Sequence, residues 1–147
     1  MKATSIGSVV AVCISNKKGT QKRPVDGAEM RADFGMVGDA HAGPGHRQVS
    51  LLAEESADKV RSLGAAVSAG DFGENLLTRG FDIRKVHMGD TIRIGEVSLL
   101  VTQLGKTCHR HCAIFDAAGT CVMPTEGVFC RVIRGGRVVP GDEIRLD

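Results

Sequence analysis

"VHMGDTIRIGEVSLLVTQL", running from Val86 to Leu104, decides the fold. Apolar and polar residues alternate through "TIRIG" (Thr91–Gly95) and again through "EVSLLVTQL" (Glu96–Leu104). That two-residue period belongs to strands with one buried face. Gly95-Glu96 sits between the two runs as a turn and predicts a hairpin. The chain closes on a shorter echo. "VHMGDTIRIG" (Val86–Gly95) is matched by "VVPGDEIRLD" (Val138–Asp147), each a Gly-Asp turn feeding an alternating strand. The echo is too short for a duplication. It points to many short strands joined by glycine-rich turns, as in a barrel.

Outward from this hairpin the same pattern recurs. "SIGSVVAVCIS" (Ser5–Ser15) is rich in β-branched residues and reads as a first strand, and "NKKGTQK" (Asn16–Lys22) as an exposed basic turn. Pro24–Met36 alternates roughly and predicts a strand or two with a bend. "GDAHAGPGHR" (Gly38–Arg47) carries three glycines and a proline in ten residues, so it is a loop with room for backbone to approach a ligand. "QVSLL" (Gln48–Leu52) is a short strand. "AEESADKVRSLG" (Ala53–Gly64) is the best helix, with Ser50 as its cap, acids in the first turn, Lys59 and Arg61 toward the end and Gly64 as the stop. A strand follows at Asn75–Thr78, and "DIRKVHMGD" (Asp82–Asp90) holds one helical turn. Beyond the hairpin, the sequence predicts a short helix over His109–Phe115 and turns through "AAGTCVMPTEG" (Ala117–Gly127). A strand over Gly127–Arg134, a turn at Gly135-Gly136 and a closing strand in "DEIRLD" complete the chain.

The fold class expected is mostly β (α+β), a barrel-like domain with a few short helices. At 147 residues, with no low-complexity stretch or linker, the chain reads as one domain over residues 1–147. Hydrophobic residues make up 42% and charged residues 24%, ordinary for a globular protein. A net charge of +2 gives no general reason for nucleic-acid binding, and five Phe with no Trp or Tyr make a base-stacking platform improbable. No run approaches the roughly 18 apolar residues of a membrane span. The apolar start lacks a small-residue cleavage site, and the five cysteines are an odd number. A cytoplasmic location with reduced thiols is therefore expected.

"GKTCHRHC" (Gly105–Cys112) packs two thiols, two imidazoles and two cationic side chains into eight residues. Three chemistries compete for it. Cys108, His109, His111, Cys112 and the later Cys121 are zinc donors by type, but no CxxC knuckle is present. Cys108 and Cys112 lie four apart and form a potential redox pair, again without the CxxC of disulfide oxidoreductases. In the third reading Cys108 is an activated thiol. Lys106, His109, Arg110 and His111 favour its thiolate, which binds soft metals or accepts sulfur, while the same cations attract an anionic ligand. Against all three stands a plain alternative of solvated histidines and small buried thiols. Cys13 and Cys130, in strand-like runs, are expected in the core, and Asp39 and Asp71 are expected to fix loops.

The segments "GMVGDAHAGPGHRQVSLLAEES", "DFGENLLTRG", "MGDTIRIGEVSLLVTQLGKTCHRHC" and "MPTEGVFCRVIRGG" together resemble the MOSC domain, found at the C-terminus of molybdenum-cofactor sulfurases and as free-standing bacterial proteins. The likeness covers most of the chain, from about Gly7 onward, and follows the short stand-alone type. It implies a barrel-like fold and a role with the molybdenum cofactor (molybdopterin) or its sulfur. Cys108 takes the place of the family cysteine that carries sulfur or ligates molybdenum, with Cys112 as a resolving thiol or second ligand. Arg47, Lys106 and Arg110 would hold anionic charge, with His41, Asn75 and His109 in the same cofactor-binding set. A cysteine desulfurase or a molybdoenzyme is the implied partner. With no pyridoxal-phosphate desulfurase domain in the sequence, a complete sulfurase is not expected. A reductase subunit for N-hydroxylated compounds and a non-catalytic scaffold remain the alternatives.

Overall fold

The computed structural model describes residues 5–18, 21–105 and 126–147. Its strands are β1 (Ser5–Ile14), β2 (Arg23–Val25), β3 (Ala28–Arg31), β4 (Gly35–Met36), β5 (Val49–Ala53), β6 (Leu76–Arg79), β7 (Thr91–Ile94), β8 (Val97–Leu104), β9 (Val128–Arg134), β10 (Gly136–Val138) and β11 (Glu143–Leu146). One helix, α1 (Glu54–Ser62), and a 3-10 turn at Ile83–Lys85 complete the described elements.

Seven strands close into a barrel in the order β1, β6, β5, β9, β8, β7, β11, with β11 returning to β1. Every neighbouring pair is antiparallel except β5 and β6. Those two are parallel, and the chain between them carries α1 across the outside of the sheet, because parallel neighbours need a crossover. β2 extends the sheet beside the far end of β1, and β10, β3 and β4 form a separate three-stranded sheet.

The alternation read from sequence becomes layers of the interior. Ile144, Ile94 and Val97 face one another across β11, β7 and β8, and Leu146, Ile92, Leu99 and Val132 form the next row. Val12, Leu76, Leu51 and Val128 close the opposite wall. All belong to one buried apolar cluster. A second cluster lies outside the barrel, where Ala57 and Val60 of α1 cover Leu52, Leu77, Ala11, Cys13 and Phe129. β5 is therefore buried on both faces, as all five of its residues record.

A bulge in β1 between Val9 and Ala11 lets one strand serve both clusters. Val9 and Val12 line the interior, although three residues apart, while Ala11 and Cys13 face α1. Inserting one residue reverses the parity of everything after it. Cys13 and Cys130 are fully buried, as their sequence context suggested.

Three local expectations are corrected. Ser50 does not cap α1: β5 continues to Ala53, which takes the cap position without a side-chain bond, and Ser50 is engaged elsewhere. Gly135-Gly136 is not a turn, since Gly136 opens β10 and pairs with Met30. The "NKKGTQK" run is not uniformly exposed, because Lys22 is buried at 3% exposure.

Closure rests on a close approach at Gly7, which pairs with Ile144 of β11. A Cβ there would lie 2.4 Å from the backbone nitrogen of Phe81 and 2.5 Å from the carbonyl oxygen of Arg79. Neither backbone atom can rotate away. Gly7→Ala should therefore lower stability by about 1–3 kcal/mol through overpacking, read as a lower urea midpoint. An unchanged midpoint would show that the closure is looser than this geometry.

Candidate functional site

A row of outward-facing positions crosses the sheet where the glycine-rich loop folds over it. Ser50 of β5 registers with Phe129 of β9, and Phe129 with Gln103 of β8. Asn75, just before β6, joins the row through Ser50: its Oδ1 accepts from the Ser50 backbone N–H at 3.0 Å and from the Ser50 hydroxyl at 3.3 Å. Its Nδ2 donates to the Cys13 carbonyl at 3.0 Å, and its backbone N–H donates to Ser50 Oγ at 3.1 Å. Asn75 is 1% exposed. It ties β1, β5 and β6 together at one point and acts on the surface through those neighbours.

The loop from Val37 to Gln48 meets this row at His46 and Arg47. Gly43 and Gly45 have φ of 135° and 128°, and nothing stands within 4 Å of a Cβ built on either, so backbone conformation rather than crowding demands glycine there. The loop is fixed at its end by Gln48, which donates its N–H to the Cys130 carbonyl and accepts from the Val132 N–H through Oε1. The Arg47 guanidinium lies over the Phe129 ring at 5.9 Å, a stacking that leaves its edge N–H groups for a ligand. His46 Nε2 lies 2.9 Å from Gln103 Oε1, and the Thr102 hydroxyl donates to the His46 carbonyl at a bulge in β8.

At the other end of the row is a buried ion pair. Lys22 Nζ donates to Asp39 Oδ1 at 2.8 Å, and both side chains are fully buried. Asp39 also accepts from the backbone N–H groups of Ser15 and His41. Burial pushes the Asp39 carboxyl up, but the Lys22 bond, the Ser15 N–H, the Lys22 charge and the Asn75 amide outweigh it and hold the group below its ordinary value. Asp71 fixes its own turn by accepting from the Ser68 N–H.

Glu74 is the second buried carboxyl, with no exposed surface. It accepts from the N–H groups of Gly70 and Phe72, and Gly70 in turn accepts the Lys22 backbone N–H. Burial dominates and pushes Glu74 up to about 7, against the opposing pull of those backbone bonds. Cys13, nearby, is pushed up to about 12 by burial and then by the Glu74 charge, so it is not a thiolate nucleophile.

Of the residues expected from sequence, Arg47 lies over Phe129 of the row, Asn75 is buried and bonded to Ser50 within it, and His41 lies in the loop against the Lys22–Asp39 pair. Cys108, Cys112, Lys106, His109 and Arg110 lie outside the described residues. The chain leaves the described part at Gly105, whose carbonyl accepts from Gln103 Nε2 at 2.7 Å and whose N–H donates to the Gly127 carbonyl at 2.7 Å. It returns at Glu126, held to α1 by Ser56 and Lys59. Cys108 thus follows by three residues a point fixed on the same row. Lys22 was missed in the sequence because nothing local separates it from its exposed neighbours; only its pairing with Asp39 does. Among the described residues no three His, Cys, Asp or Glu side chains are grouped to hold a metal. No helix among them is long and apolar enough to cross a membrane.

The two carboxyls set opposite pH dependences. Glu74, raised above its ordinary 4.5, keeps its proton longer in the folded state, so the stability it contributes is lost as pH rises through about 7. Asp39, lowered from its ordinary 3.8, contributes stability that is lost as pH falls through its folded value. The thermal midpoint should peak between these windows, and Glu74→Gln should flatten the fall between pH 5 and 8 by an amount on the order of 2–3 kcal/mol at most. Calorimetry of the two proteins across that range checks it; identical slopes would exclude Glu74 as the cause.

The chain is similar to an uncharacterized protein, YflK, of Bacillus subtilis, at 30% identity over 138 residues. That alignment takes in 87% of this chain but 62% of the relative's length, so the chain spans about three-fifths of it. The crystal structure of YuaD from Bacillus subtilis superimposes with a TM-score of 0.80 at 20% identity, covering 96% of this chain and 95% of that one. YiiM from Geobacillus stearothermophilus gives a TM-score of 0.70 at 19% identity, covering 96% and 75%. The mostly β, barrel-like fold expected from the sequence is thus the fold of these structures. The family model of the MOSC domain matches residues 37–145, from the glycine-rich loop through β11, and the chain belongs to the MOSC domain family.

Proposed function

We propose that this protein binds the molybdenum cofactor, and that Cys108 accepts sulfur for it or ligates its metal during cofactor maturation or insertion. The observation that supports the reading is the outer row, where Arg47 lies over Phe129 and Asn75 anchors Ser50, and where the Gln103 side chain meets Gly105, from which the Cys108 segment departs. The family is one associated with this cofactor. The described residues suit its anionic side: a guanidinium over Phe129, a partly exposed imidazole, and unfilled space beside Gly45 in the loop. They supply no grouped metal donors. The soft contact is assigned to Cys108, a thiolate donor of the type molybdenum and sulfane sulfur both accept.

When bound, the cofactor would supply a redox-active metal and a phosphate-bearing pterin. The chain's own residues have separate tasks. Arg47 binds the phosphate, with Lys106 and Arg110 adding positive charge. His41 donates a hydrogen bond to an anionic oxygen. Asn75 keeps Ser50 and the end of β1 in place. In the sulfur-carrying role, the Cys108 thiolate attacks the outer sulfur of a persulfide on a cysteine desulfurase. One S–S bond forms at Cys108 as the donor's S–S bond breaks, and the donor cysteine leaves as thiolate, so no external oxidant or reductant is needed. Cys112 would resolve that persulfide or act as a second ligand. The molybdoenzyme is the recipient in this scheme.

The test is metal content. The protein is expressed in a host that makes the cofactor, purified without oxygen, and analysed for molybdenum and zinc in one sample. Near-stoichiometric molybdenum is expected, lost in Cys108→Ala. Arg47→Ala should weaken binding about ten-fold, the effect of one charge-assisted bond of roughly 1.5 kcal/mol, which takes a nearly filled site to about half loading. Stoichiometric zinc without molybdenum would overturn the reading and make the Cys/His cluster a zinc site.

A further inference from the structure

We infer that Lys22 is a positioning residue that locks His41 as its neutral Nε2–H tautomer, so that His41 serves the site as a hydrogen-bond donor and not as a base or a metal ligand. Among the described residues, two groups of opposite demand lie beside the inner ring nitrogen. Lys22 Nζ lies 2.9 Å from His41 Nδ1, while Asp39 Oδ2 lies 3.8 Å from it. The ammonium has no lone pair and requires Nδ1 to accept; the carboxylate would require Nδ1 to carry the proton. At these distances the ammonium wins.

The Lys22 ammonium has three N–H donors and three acceptors around it: Asp39 Oδ1 at 2.8 Å, His41 Nδ1 at 2.9 Å and Ser15 Oγ at 3.3 Å. Asp39 Oδ1 and Oδ2 in turn accept from the backbone N–H groups of Ser15 and His41. The Lys22 and Asp39 side chains are fully buried, so water does not relax the arrangement. With Nδ1 committed as an acceptor, the proton of the neutral ring belongs on Nε2. The ring itself is 38% exposed.

The physical consequence is a choice of chemistry made by one buried cation. With Lys22 present, His41 offers an N–H suited to an anionic oxygen. Without it, Nδ1 passes to Asp39 and Nε2 becomes a lone pair, the arrangement of a base or a ligand. The lock stands on geometry alone; the donor role toward an anionic ligand rests on the function proposed above.

Long-range proton–nitrogen spectra of the uniformly nitrogen-15-labelled protein near neutral pH test the lock. Five imidazoles contribute, and His41→Gln identifies the one that matters. The expected pattern is a protonated Nε2 and an unprotonated, hydrogen-bonded Nδ1. An Nδ1–H tautomer or an imidazolium at His41 would overturn the inference in the wild-type protein, whatever the variants do. In Lys22→Met the tautomer should invert toward Nδ1–H, and an unaltered pattern in that folded variant would remove Lys22 as the cause. A separate arm measures molybdenum per chain after production in a cofactor-making host. In His41→Met binding should weaken about ten-fold, the loss of one charge-assisted donor, which takes a nearly filled site to about half loading, and His41→Gln, whose amide places an N–H near that of Nε2, should partly restore it. Equal loading in wild type and His41→Met overturns the donor role while the spectra decide the lock. No molybdenum in any protein overturns the proposed function and leaves the tautomer result standing.

Discussion

The rest of the structure depends on how β1 is paired. Its first residues bond to β11, its middle to β6, and its last to β2. This single strand therefore closes the barrel and also carries the chain out of it. The bulge after Val9 makes both tasks compatible, because it moves Val12 to the interior and Cys13 to the face under α1. A regular strand would have placed Val9, Ala11 and Cys13 on one face and left one of the two cores short of a side chain. Gly7 enforces the contact at closure, and the Cys13 backbone supplies both an N–H and a carbonyl to Asn75 at the other end.

From that end the polar architecture follows. Beyond Ile14 the chain reaches Ser15, whose N–H and hydroxyl meet Asp39 and Lys22. A buried ion pair is a poor source of net stability, since removing two charges from water offsets most of their attraction. Its value here is geometric. It fixes the glycine-rich loop from beneath while Gln48 fixes it at the far end, and between these anchors the loop has the glycines that let backbone face outward. The loop is thus constrained at its ends and open in its middle, an arrangement suited to holding a ligand against a rigid sheet.

The site divides into two chemical halves. The described half is hard: the Arg47 guanidinium over Phe129 on the outer row, and the His41 imidazole beside the Lys22–Asp39 pair. The soft half, in the function proposed, falls to Cys108 in the segment that begins after Gly105. Cys13 and Cys130, the two cysteines among the described residues, are buried in the cores, and burial raises both thiols. Neither is suited to act as a thiolate.

The sequence by itself determined the elements whose pattern repeats at short range. The hairpin of β7 and β8, the stop of α1 at Gly64, the strand ending the chain and the loop at Gly38–Arg47 all follow from alternation, glycine and charge within a few residues. Membership of a barrel-like family was legible from the same ordered segments. Tertiary structure alone decided the rest, because each remaining feature depends on a partner far along the chain. Ser50 looked like a helix cap until Asn75, 25 residues on, took its hydroxyl. Lys22 looked like one more exposed lysine until Asp39, 17 residues away, supplied the counter-charge that makes burial tolerable. Phe129 gained a role only when Arg47 was laid across it by the loop. Local sequence encodes backbone preference; the burial of a charge or the tautomer of a ring is set by whatever the closed barrel brings beside it.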